Sequence, residues 1–208
     1  MRLRLHRGRQ RHHRGRPEAQ ARAGGAHRRG DLGQHDLRIL HHPSPNHGER
    51  RGGMRPRLVV LHHTAMAGVG AALARLCDPA AEVSAHWLIG ADGAVHALVP
   101  EERRAWHAGA GAWGRVTDVN SASIGIELDN PGDRPFAAAQ MRALETLLDA
   151  IMARWNIPPQ GVIGHSDMAP GRKRDPGARF DWFRLARAGR SVWPPGAGGA
   201  PDPPRGSG

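Results

Sequence analysis

Two short apolar runs limit what this chain can fold into. Arg57–Leu61 (RLVVL) and Ser123–Leu128 (SIGIEL) are apolar, rich in β-branched residues and bounded by polar or turn-forming ones. Both read as buried strands. Between them lies a helical pattern, Gly68–Cys77, with Leu73 and Leu76 on its apolar side and a stop before Pro79. Two further apolar segments, Ser84–Ile89 and Ala94–Val99, are joined by Ala91-Asp92-Gly93. Asp-Gly between two such runs is a strong hairpin signal. Ala137–Trp155 carries Met141, Leu144, Leu148, Ile151 and Trp155 at spacings of three and four, the pattern of a core-facing amphipathic helix. Val162–Gly164 reads as a brief strand ending at His165, and Phe180–Ala188 as a last helix in which Trp182, Phe183 and Leu185 pack. Strands interleaved with helices predict an α/β domain with a central mixed β-sheet flanked by helices, because the hairpin rules out a wholly parallel sheet.

Composition decides how much of the chain belongs to that domain. The 28 Gly and 17 Pro among 208 residues are more than a packed fold needs. The net charge of +11 suggests a nucleic-acid partner until its location is read. Residues 1–53 carry 13 Arg and 4 acids, whereas residues 54–208 carry 17 basic and 15 acidic residues. The body of the chain is therefore near neutral and gives no phosphate-binding footprint, so no nucleic-acid partner is expected. Residues 1–42 hold Arg, His and Gly without an apolar period and are expected to be a disordered tail, or a misassigned start. Residues 43–193 are the expected domain, opening on the loop Pro43-Ser44-Pro45-Asn46, and residues 194–208 an expected disordered Pro/Gly tail. A monomer is expected. No apolar window of about 18 residues is present, so no membrane-spanning helix is expected. No apolar stretch of about 7–15 residues follows the basic start, so no secretory signal is expected in the chain as it stands. With a lone Cys77, that favours a cytoplasmic location. A periplasmic or secreted one is the alternative if the start is misassigned.

Chemistry concentrates where predicted strands end. His62 follows RLVVL, His165 follows Val162–Gly164, and Asp175 lies ten residues further on in a loop rich in Gly and Pro. Two His and one Asp would give zinc three ligands and leave a position for water, the equipment for amide hydrolysis. The bland alternative is that these are ordinary surface or core residues, since the chain has 14 His. Glu127 lies among apolar residues in SIGIEL, on the face opposite Ile124, Ile126 and Leu128 if the strand alternates. It is either half of a structural ion pair or a general base. Lys173, the single lysine of the chain, is either a solvated loop residue or a cation that stabilises an oxyanion at the metal's rim. His86, Trp106, His107 and Asn120 are candidates for contact with substrate, the Trp106-His107 loop forming one wall of a sugar-peptide groove; core packing is the other reading for that loop.

Five segments in order, LVVLHHTA, SAHWLIGADG, AWHAG, NSASIGIELDN and GHSDMAPGRKRDPG, resemble the type 2 N-acetylmuramoyl-L-alanine amidases, relatives of the peptidoglycan recognition proteins and certain phage amidases. The resemblance covers residues 43–193, and Pro43–Asn46 is similar to the lead-in of the bacterial branch. It implies a peptidoglycan recognition protein-like fold with one Zn2+ at the floor of a surface groove, held by His62, His165 and Asp175. It further implies Glu127 and Lys173 as catalytic residues, and peptidoglycan or anhydro-muropeptides as the substrate, cut between N-acetylmuramic acid and L-alanine. His63 is not expected to join the ligands, because adjacent strand residues point to opposite faces. Some relatives use a Tyr near the metal; this chain has none, which places the load on Glu127. Some relatives keep the fold and bind without cutting, so a non-catalytic peptidoglycan-binding module is the alternative.

Overall fold

The computed structural model describes residues 37–193. In chain order the strands are β1 (Ile39–His41), β2 (His47–Gly48), β3 (Leu58–His63), β4 (Trp87–Ile89), β5 (Val95–Ala97), β6 (Arg104–Ala105), β7 (Ser123–Leu128) and β8 (Val162–Gly164). The helices are α1 (Val69–Leu76), α2 (Val119–Ala122), α3 (Ala138–Trp155), α4 (His165–Met168) and α5 (Trp182–Arg187). Six strands form one sheet in the order β1-β5-β4-β7-β3-β8, and β2 pairs with β6 apart from it. Only the β4–β5 hairpin is antiparallel within the large sheet, which makes it mixed, as the Asp-Gly signal requires. At that turn the side chain of Asp92 accepts the Ala94 N–H. Gly93 takes φ +85°, with the Ala139 carbonyl 3.0 Å from where a Cβ would stand, so only glycine fits.

The central strands β3 and β7 are covered on one face by α3. Val59 and Leu61 of β3 and Ile124, Ile126 and Leu128 of β7 meet Met141, Leu144, Leu147, Leu148 and Ile151 of the helix, all buried. Each such Leu or Ile, fully buried, contributes about 1.5–3 kcal/mol. The helix follows the spacing in the sequence, except that Trp155 is half-buried and its indole N–H donates to Glu101. The opposite face carries Leu58 and Val60, packed with Ala108, Val119, Ile163 and Met168. Alternation continues along that face to His62 on β3 and Glu127 on β7.

Several boundaries differ from expectation: the hairpin strands, Trp87–Ile89 and Val95–Ala97, and the last helix, Trp182–Arg187, are shorter than their apolar runs. The sheet begins before Pro43: Ile39–His41 pairs in parallel with β5, and the His42 N–H donates to the Ala97 carbonyl. Two of its three residues are exposed, so main-chain hydrogen bonds to a sheet edge hold it and no hydrophobic period announces it. Of the expected tails, residues 1–36 and 194–208 lie outside the described residues. His62 and His63 also belong to β3 rather than to the loop beyond it, because they stand level with Glu127 and Leu128 of β7.

Candidate metal centre and active-site groove

The parallel register builds the site. Leu61 stands level with Gly164 across β3 and β8, so the next residues, His62 and His165, reach the same end of adjacent strands. His62 is 2% exposed and His165, the first residue of α4, 3%. The loop after α4 folds back, and the Ser166 N–H donates to the Asp175 carbonyl over 2.9 Å. This returns the Asp175 carboxylate to both histidines.

The three side chains converge on one point. His62 Nδ1 and His165 Nδ1 are 2.9 Å apart, and Asp175 Oδ2 is 3.0 Å from each. His165 Nε2 faces the Ala108 carbonyl at 2.9 Å. A carbonyl only accepts, so Nε2 carries the proton and Nδ1 presents a lone pair to its neighbours. Burial pushes the His62 imidazole down to about 4, against the pull of Asp175, so it is neutral at physiological pH. Burial raises the Asp175 carboxyl, but hydrogen bonds and charge from His165 and His62 outweigh it and hold the group well below the usual carboxylate range. Lone pairs and a carboxylate directed at a common centre repel unless a cation is shared, and all three ligand atoms lie within 4.8 Å of one another. The residues therefore fit a divalent metal, with three protein ligands and room for a fourth.

Glu127 stands beside His62 on β7. Its Oε2 is sealed from solvent without a hydrogen-bond partner. Burial, with the charge of Asp175, pushes its carboxyl up to about 8, while Lys173 pulls it down. The ion pair that would make Glu127 structural is not found for this oxygen. Lys173 is half-buried at the rim. Both residues line a cavity of about 440 Å3 together with the three candidate ligands and Trp106.

The other expected substrate contacts divide. Trp106 lines the groove. His63 borders it too, but its ring lies against Gly132 and Gly177, away from the ligand cluster. His86 does not reach the groove: it is 0% exposed, and its Nδ1 accepts the Gly125 N–H at 2.9 Å. Burial and the Arg50 charge push its imidazole down to about 3. Asn120 is 8% exposed and holds the chain from beneath, its Oδ1 accepting the N–H groups of His107 and Ala108 at 3.0 and 2.8 Å. Both are candidates for substrate contact in the sequence, and in the structure both satisfy buried backbone N–H groups instead. His107 borders the cavity from within, its ring wedged between Gly125 and His62.

Arg50 is a residue that sequence reasoning missed. Its buried guanidinium donates to the carbonyls of Glu101, Asn120, Ser121 and Ser123, tying β7 to the loop before β6. As one of 13 Arg in residues 1–53 it had no signal of its own. Arg172, which donates to the Ala108 carbonyl at 2.8 Å, was missed as well.

Known proteins resemble this chain in sequence and in fold. Residues 52–178 match the N-acetylmuramoyl-L-alanine amidase family. The N-acetylmuramoyl-L-alanine amidase AmiD of Escherichia coli (strain K12) is 41% identical over 156 residues, 67% of this chain and 55% of AmiD, so little more than half of that relative is spanned. The 1,6-anhydro-N-acetylmuramyl-L-alanine amidase AmpD of Enterobacter cloacae is 35% identical over 162 residues, 70% of this chain and 87% of AmpD. The solved structure of E. coli AmiD with the substrate anhydro-N-acetylmuramic acid-L-Ala-D-gamma-Glu-L-Lys superposes with a TM-score of 0.63 at 38% identity, over 72% of this chain and 68% of that one. With the family matched over most of the described domain and the fold shared, this chain belongs to the N-acetylmuramoyl-L-alanine amidase family.

Proposed function

We propose that this protein hydrolyses the amide bond between N-acetylmuramic acid and L-alanine in muropeptides, using one Zn2+ held by His62, His165 and Asp175. The observation that carries the reading is the convergence of those three ligand atoms beside a buried carboxylate, Glu127, that lacks a partner on Oε2. Anhydro-muropeptides are the substrate to expect, since AmpD is named for the 1,6-anhydro sugar and AmiD was solved with such a fragment.

A zinc ion there would supply Lewis acidity to the attacking water and the scissile carbonyl, and its charge would lower the Glu127 carboxyl from about 8. Glu127 accepts the proton of the attacking water on its carboxylate and delivers it to the departing L-alanine nitrogen. Lys173 offers its ammonium to the oxyanion formed as the carbonyl becomes tetrahedral. Trp106 contributes an apolar wall for the sugar-peptide.

Against the binding-module alternative stands the complete set: all three ligands, Glu127 and Lys173 line one cavity. The deciding experiment is hydrolysis of a purified anhydro-muropeptide by zinc-loaded protein beside a chelated sample. Release of the L-alanine-led peptide that stops on chelation and returns with zinc is the expected result. No cleavage of this fragment or of intact peptidoglycan by folded, zinc-loaded protein would leave the binding module as the better reading.

A further inference from the structure

We propose that His107 is a positioning residue for the metal centre: it accepts the Nε2–H of His62 and, through Ser123, fastens that ligand to the Val119 backbone carbonyl. The inference rests on the reading of His62 as a metal ligand, and it assigns a role that the substrate-wall expectation for His107 did not contain.

The directions of the hydrogen bonds follow from one end of the chain of contacts. The Val119 carbonyl can only accept, and Ser123 Oγ lies 2.5 Å from it. Ser123 has one hydroxyl hydrogen, which is used there. Toward His107 Nε2, 3.2 Å away, Ser123 can therefore only accept. His107 Nε2 carries the proton, and the Nδ1 of the neutral ring is left with a lone pair. That lone pair faces His62 Nε2 at 3.0 Å, so His62 donates. His62 is thereby fixed as the tautomer whose Nδ1 is free, and it is this atom that meets His165 Nδ1 and Asp175 Oδ2.

The surroundings are shaped for this contact. Gly125 of β7 lies under the His107 ring, where a Cβ would come within 2.4 Å of it, so any larger residue would displace the ring from His62. Asn120 Oδ1 holds the backbone N–H groups of His107 and Ala108. The adjacent Ala108 carbonyl fixes His165 in the same tautomer, with Nε2–H donated and Nδ1 free. One short loop thus orients both imidazoles, His62 through a side-chain relay and His165 directly. Such partners of metal-ligating histidines fix ring orientation and tautomer, and removing one weakens metal binding about 10–100-fold.

The test compares three variants of the full chain by zinc affinity in chelator competition, with the visible spectrum of the Co2+-loaded proteins as a second readout. His107→Leu removes the acceptor. His107→Asn keeps an acceptor oxygen near the position of Nδ1, and His107→Gln places its amide toward Ser123 instead. The expected result is zinc binding weakened about 10–100-fold in His107→Leu and His107→Gln, with His107→Asn within a few-fold of wild type and with its Co2+ spectrum. Equal affinity in all four proteins, or His107→Asn falling as far as the other two, overturns the proposal. Should His107→Leu fail to fold, the Asn–Gln contrast still decides. Nitrogen-15 NMR of histidine-labelled, zinc-loaded wild type should show Nε2–H on both His62 and His107; an Nδ1–H form of either ring overturns the relay while leaving the zinc reading intact. Wild type that binds no zinc overturns both.

Discussion

The two faces of the β3–β7 pair obey the same alternation and do opposite work. Toward α3 the strands present Val59, Leu61, Ile124, Ile126 and Leu128, which pack into one apolar cluster with the helix. On the other face the same strands end in His62 and Glu127, ionisable groups taken out of water at an energetic cost. One face supplies stability and the other consumes some of it to hold the lone pairs of His62 and Glu127 in place. Substitutions on the two faces should therefore separate folding from turnover, with opposite signs.

The largest separation is expected at Glu127. Glu127→Gln should lower kcat by about 10²–10⁴-fold while zinc affinity changes little. Because Oε2 is buried without a partner, the variant should unfold at an equal or higher denaturant concentration than wild type. A variant that turned over at the wild-type rate would remove Glu127 from the reaction. On the opposite face, Leu148→Ala should destabilise the domain by about 2–5 kcal/mol, since Leu148 is fully buried under the sheet. Its activity per folded molecule should be preserved, which urea titration and a rate measurement on the same sample would check. A loss of kcat larger than the loss of folded protein would mean that the faces are coupled.

Acid sharpens the comparison without a mutation in the site. His86 is kept neutral, at about 3 against 6.5 for a free imidazole, mainly by burial. As pH falls below about 6.5 the unfolded chain binds a proton that the folded chain refuses, so stability is full above that value and declines toward pH 3. The urea midpoint should therefore be lower at pH 5 than at pH 7.5. His86→Gln, less stable overall because it alters the bond to the Gly125 N–H, should show a shallower decline. An unchanged slope in that variant would assign the acid sensitivity to other groups. The smallest effect is expected on the solvent side of α3. Arg190 pairs with an exposed Asp149 at 2.7 Å, and Arg190→Ala should change stability by less than about 1 kcal/mol and leave hydrolysis untouched.

Local pattern specified β7 and α3 almost to the residue and placed the β4–β5 hairpin, though its strands are three residues each rather than six, because apolar period and turn chemistry are properties of neighbouring residues. The motifs resembling the family also named His62, His165, Asp175, Glu127 and Lys173, and the fold brings all five to one cavity. What the sequence left open depends on contacts between distant segments. His62 and His165 touch across 103 positions, and only the β3–β8 register makes them neighbours. Sequence pattern could not tell the buried His86 and Asn120 from the groove-lining Trp106, because burial depends on which distant segments pack over each residue. Nor could it distinguish Arg50 from the twelve other Arg around it. Residue type and period decided which side chains were available for a metal and a base. Strand register, and the backbone carbonyls it brings near, decided which nitrogen of each histidine faces the centre, because a hydrogen bond has a direction that a spacing does not carry.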